Sequence, residues 1–88
     1  MTTSAAKPRA DAVAVDAQID TNFLRITLSD GRELSVPYRR VPWLAWLADA
    51  TDNQRQHCVI EPTGFAVYWP DLDDGVEVSH LLVPQSLV

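Results

Sequence analysis

Nothing in this chain can cross-link it. One cysteine, Cys58, stands among 88 residues, so no internal disulfide can form and no second thiol completes a thiolate zinc site. Glycine is scarce, three residues in all, and there is neither a glycine-rich loop for phosphate nor a Gly-x-Ser-x-Gly nucleophile elbow. No apolar run approaches the roughly 18 residues that would cross a bilayer. The opening stretch MTTSAAKPRADA carries two positive charges with no apolar segment behind it, unlike a secretory signal. These absences predict a cytoplasmic protein with no metal and no cofactor.

Positive charge is scarce as well. Seven Lys and Arg face twelve Asp and Glu, a net charge of −5 and a pI near 4.6. Nucleic-acid binding draws on clustered cations that release counterions, and only Arg39 and Arg40 are adjacent. The overall field suits a basic protein partner better. A chain of this length is one domain, and it buries only about 60–65% of its unfolded surface.

What is present is alternation. Residues 1–10 are small and polar and predict a tail, leaving a single domain over 11–83. From Asp11, Val13, Val15 and Ala17 alternate with Ala14 and Asp16, which predicts a first strand. Leu24, Ile26 and Leu28 alternate with Arg25 and Thr27, and Leu34, Val36 and Tyr38 resume the pattern. Between them Asp30-Gly31 signals a hairpin with a two-residue type I′ turn. Pro42 opens a helix over 42–50, with Trp43, Trp46, Leu47 and Ala50 at helical spacing. Thr51 and Gln54 match a capping box for a short turn over 52–56. Two strands follow at 57–61 and 65–69, joined through Pro62-Thr63-Gly64 and ended by Pro70. Residues 71–75 read as an acidic loop, Val76 and Val78 as a short edge strand, and Ser79 as the cap of a last turn before Pro84, with a tail over 84–88. The prediction is α+β: three strands, a helix, two strands and a short C-terminal element, in one mainly antiparallel sheet with the helix packed on it. Leu24, Ile26, Leu28, Leu34, Val36, Leu44, Leu47, Val59 and Val67 should be buried.

Several features in fixed order resemble a known bacterial family. They are the Leu28-Ser29-Asp30-Gly31 hairpin, a Pro42-Trp43-Leu44 helix ending Leu47-Ala48-Asp49-Ala50-Thr51, and Gln54-Arg55. Gly64 then precedes Trp69-Pro70-Asp71-Leu72-Asp73-Asp74 and Val78-Ser79-His80-Leu81-Leu82. From Asp11 to Leu82 the chain resembles the domain of unknown function 2442. The resemblance implies a small α+β domain found alone beside small toxin-like genes, or fused ahead of a helix-turn-helix segment. It implies no catalytic residue. Gly75 stands where that family usually carries an acidic residue, which implies a more flexible loop. No helix-turn-helix follows Leu82, so the DNA-reading role of fused relatives is not expected to transfer.

Each remaining candidate has a purely structural alternative. Asp71, Asp73, Asp74 and Glu77 form either a landing patch for a basic partner or a solvated turn. An EF-hand loop fails, because the sixth and twelfth positions from Asp71 hold Val76 and Leu82. His57 and Cys58 are adjacent on a strand and point to opposite faces, so they cannot form a nucleophile and base, and Cys58 reads as a small core residue. Three tryptophans are rich for this length; Trp43, beside Arg39 and Arg40, is the one expected to be partly exposed. The expected function is therefore a non-enzymatic protein-binding module, antitoxin-like or an accessory subunit. It would bind a basic, toxin-like partner through Trp43, Tyr68, Asp71, Asp73, Asp74 and Glu77. The alternatives are a nucleic-acid-associated regulator using Arg25, Arg39, Arg40 and Trp43, or a small-molecule sensor with a pocket under the helix.

Overall fold

The computed structural model describes residues 12–82; the tail expected over 1–10, the break at Pro84 and the tail over 84–88 lie outside the described residues. Period-two alternation yields a first antiparallel sheet of β1 (Ala14–Ile19), β2 (Leu24–Leu28) and β3 (Glu33–Val36), in that order. Leu24, Ile26 and Leu28 point into the core as expected, while Leu34 and Val36 are half-buried on the edge strand. In β1 the expected phase is inverted at one end. The register jumps between Ala14 opposite Leu28 and Asp16 opposite Thr27, so Val15 is an extra, exposed residue. A bulge of this kind shifts the alternation by one, and Ala12, Ala14 and Ile19 are buried rather than Val13 and Val15.

The β2–β3 hairpin forms, but not through a type I′ turn. That turn needs positive φ at Asp30, and among the described residues other than glycine only Asp73 has it. Instead Gly31 N–H donates to Leu28 O (3.0 Å), Leu28 N–H donates to Arg32 O (2.8 Å), and Gly31 takes φ +93°. This is a three-residue loop closed by a left-handed glycine. Asp30 secures it by accepting from Arg32 N–H (3.0 Å) and Arg32 Nε (2.8 Å).

Pro37 stops β3, since it has no N–H for the ladder. Tyr38 therefore leaves the alternation and enters a 3-10 turn, Tyr38–Arg40. The helix expected over 42–50 is also divided, into a 3-10 turn Pro42–Leu44 and a single α-turn, α1 (Ala45–Ala48). Its end has a cause. Arg55, 5% exposed, donates from Nη1 to the carbonyls of Leu47 (3.2 Å), Ala48 (3.2 Å) and Ala50 (2.6 Å), the groups that a longer helix would use. Leu44 and Leu47 are fully buried, as predicted. The capping box also forms: Thr51 Oγ1 accepts from Gln54 N–H (3.1 Å) and Gln54 Oε1 from Thr51 N–H (2.9 Å), opening α2 (Asp52–Gln56).

The later strands make a second sheet instead of extending the first. It comprises β4 (Val59–Ile60), β5 (Ala66–Trp69) and β6 (Asp74–Glu77), all antiparallel, followed by α3 (Val78–Leu82). The two sheets meet where β1 runs beside β4 and β5, and Ala14 N–H donates to Gly64 O (2.8 Å). Gly64 has φ +78°, and a Cβ there would lie 2.8 Å from Val13 Cβ, so the junction requires glycine. Residues 71–75 are accordingly not one loop: Pro70–Leu72 is a 3-10 turn, Asp73 is left-handed, and Asp74 and Gly75 belong to β6. Trp69 anchors the core between the layers, edge-on to Trp46 at 5.6 Å, with its Nε1 donating to Arg55 O (2.9 Å).

Candidate functional site

Antiparallel pairing sets which residues share the outer face of the second sheet. Val59 pairs with Tyr68 and Tyr68 with Gly75, giving one row; Glu61 lies opposite Ala66, and Ala66 pairs with Glu77, giving the next. The alternate residues Ile60, Val67 and Val76 face inward. Val59, expected in the core, is therefore 50% exposed, because its register puts it beside Tyr68 on the outer face. Across three strands Glu61 and Glu77 stand ~10 Å apart with only Ala66 between them.

Tyr68 is the centre of this face. Its hydroxyl donates to Asp73 Oδ1 at 2.7 Å. That bond raises the phenol above its ordinary value, helped by burial and by the charges of Asp73, Asp74 and Glu61. Asp73 can reach the hydroxyl because it takes the left-handed conformation (φ 49°) that closes the Pro70–Leu72 turn. Gly75 does not loosen this region. It is within β6, where a Cβ would sit 2.8 Å from Val67 O and 3.3 Å from the Tyr68 ring, so glycine lets the strand and the ring approach closely.

The six residues singled out from the sequence do not form one cluster. Tyr68, Asp73 and Glu77 share the outer face. Asp74 pairs with Trp69, one residue out of phase, and accepts from Gly75 N–H (2.8 Å). Asp71 instead holds His57, with Nδ1 and Oδ2 2.8 Å apart on the surface. Trp43 is 41% exposed, as expected, but its turn packs on Tyr38–Arg40 and α1, in the helical layer. Cys58 is half-buried against the core, and burial raises its thiol above the ordinary value. Among the described residues no three His, Cys, Asp or Glu side chains are grouped to hold a metal, and no helix is long and apolar enough to cross a membrane.

Sequence reasoning missed Val59, Glu61 and the charge segregation around them. The signal was available. Residues 1–56 carry seven basic and seven acidic side chains, whereas residues 57–88 carry five acidic ones and no Lys or Arg. All of the net charge of −5 thus belongs to the part of the chain that builds the second sheet.

A family model described as protein of unknown function (DUF2442) matches residues 12–85. The chain belongs to the DUF2442 family. No curated protein matches this DUF2442 chain. A crystal structure of a protein of unknown function from Rhodospirillum rubrum ATCC 11170 is similar, with a TM-score of 0.69 and 23% identity over 81% of this chain and 84% of that one. That likeness establishes a shared fold, and in this DUF2442 chain it consists of two small antiparallel sheets with short helices.

Proposed function

We propose that this DUF2442 protein is a non-enzymatic cytoplasmic binding module, antitoxin-like or an accessory subunit, that docks a basic protein partner on the outer face of its second sheet. One observation carries the reading. Half-exposed Val59 and Tyr68 are framed by Glu61, Asp73 and Glu77, on a segment without a single Lys or Arg to neutralise them. An apolar and aromatic centre supplies holding energy, and the acidic rim steers a cationic partner to it. Asp71 and Asp74 add to the field from the flanks. Trp43, in the helical layer, lies outside this footprint.

Affinity capture from the native host tests the proposal. The wild-type chain should retain one basic protein in stoichiometric amount. Glu61→Gln with Glu77→Gln should slow its association and flatten the salt dependence, and Tyr68→Ala should speed its dissociation. Recovery of no stoichiometric protein, or of one whose binding ignores all three changes, would refute the reading.

A further inference from the structure

A second surface, on the first sheet and its helical layer, has the opposite character. Of the five described arginines, three are matched to carboxylates: Arg25 to Asp20, Arg32 to Asp30 and Arg55 to Asp52. The other two, Arg39 and Arg40, line one groove of about 440 Å³ with Asn22, Phe23 and Pro37. That volume is in the range of small-ligand and short-peptide sites.

The groove is built rather than accidental. One wall is the Asp20–Phe23 turn, where Asp20 Oδ1 accepts from the N–H groups of Asn22 and Phe23 (both 2.8 Å) and Oδ2 pairs with Arg25. The other wall is the Pro37–Arg40 turn. The walls are bolted together, because Tyr38 Oη lies 2.6 Å from Asp20 O and 2.9 Å from Thr21 O, and Arg39 Nε donates to Thr21 O (2.6 Å). Nε so engaged, with the guanidinium over the Tyr38 ring at 5.5 Å, holds Arg39 in place while no described residue bonds its Nη groups. The Arg40 backbone N–H donates to Pro37 O (2.8 Å), while its exposed side chain makes no hydrogen bond or ion pair among the described residues.

We propose that this groove binds a short acidic peptide segment of a protein partner, with carboxylates on Arg39 and Arg40 and an apolar side chain between Phe23 and Pro37. Guanidinium forks match carboxylates in geometry and charge, and pre-set donors reduce the ordering cost of binding. The acidic second sheet does not forbid such a ligand, because charges beyond ~8–10 Å are screened at physiological salt and residues 1–56 are neutral in sum. A nucleic acid fits less well: two cations at its phosphates give a salt slope of only about −1.4 for a single strand.

The test is a ¹⁵N-NMR titration of the full chain with acetyl-Glu-Leu-Glu-amide, against acetyl-Gln-Leu-Gln-amide and an oligothymidylate of equal charge. The acidic peptide should give saturable shifts confined to Asn22, Phe23, Arg39, Arg40 and their neighbours, and the amide peptide should give none. Arg40→Gln, which removes no side-chain hydrogen bond or ion pair among the described residues, should weaken the acidic peptide about tenfold while the spectrum stays folded. Absence of saturable shifts at millimolar peptide, shifts centred elsewhere, unchanged affinity in Arg40→Gln, or tighter binding of the oligothymidylate would each overturn the proposal.

Discussion

Replacing Arg55 with methionine keeps most of the buried stem and removes the guanidinium. Nη1 has two protons for three carbonyls, so the loss amounts to two full hydrogen bonds, the Ala50 contact at 2.6 Å being the shortest. Bonds to a charged donor contribute about 1.5–3 kcal/mol each, and some of that returns as water reaches the half-buried carbonyls of Ala48 and Ala50, leaving a net cost of about 3 kcal/mol. The Asp52 partner adds little, since its side chain is 83% exposed, and Asp52→Asn should cost under about 1 kcal/mol. The Trp69 bond goes to the Arg55 carbonyl and survives the substitution. For a domain of this size ~3 kcal/mol corresponds to a fall in Tm of ~12–24 °C. Urea denaturation followed by tryptophan fluorescence reads it directly, and Arg55→Lys should fall between wild type and Arg55→Met. If Arg55→Met unfolds within about 0.5 kcal/mol of wild type, or Asp52→Asn costs more than it does, the carbonyl network is not what Arg55 contributes.

Two further outcomes follow from local geometry. Gly75→Ala should destabilise by about 1–3 kcal/mol, because its Cβ would meet Val67 O at 2.8 Å inside a paired strand; an unchanged midpoint would mean that β6 shifts freely. Asp20 is held at about 2, below its ordinary 3.8, first by Arg25 and then by the N–H groups of Asn22 and Phe23. A lowered carboxylate stabilises the fold above pH 3.8 and loses that contribution as pH falls through about 2, so the stability difference between wild type and Asp20→Asn should close across that window; a gap independent of pH would refute the assignment.

The family resemblance was readable because its signals are local and run in a fixed order, and the α+β class because each element announces itself by period. The strand faces of β2, the burial of Leu44 and Leu47, the Pro42 start and the Thr51–Gln54 capping box all depend on neighbours within a few residues. The function was far less legible. The acidic run from Asp71 looked like one patch, yet a single left-handed residue and the start of β6 send Asp71, Asp73 and Asp74 to three different partners.

The sequence by itself determined where chain direction changes, which β2 and α1 side chains face inward, and that no Lys or Arg lies beyond Arg55, because proline, glycine, periodicity and charge act locally or by simple count. Only the tertiary structure decided that the strands split into two sheets, that Val15 bulges and Val59 faces out, and that Arg55 ends a helix seven residues before it. The same holds for the groove that gathers Arg39 and Arg40 with Phe23. Each of these depends on which distant backbone groups become partners once the core closes. A hydrogen bond between residues far apart in the chain leaves no period in the sequence to be read.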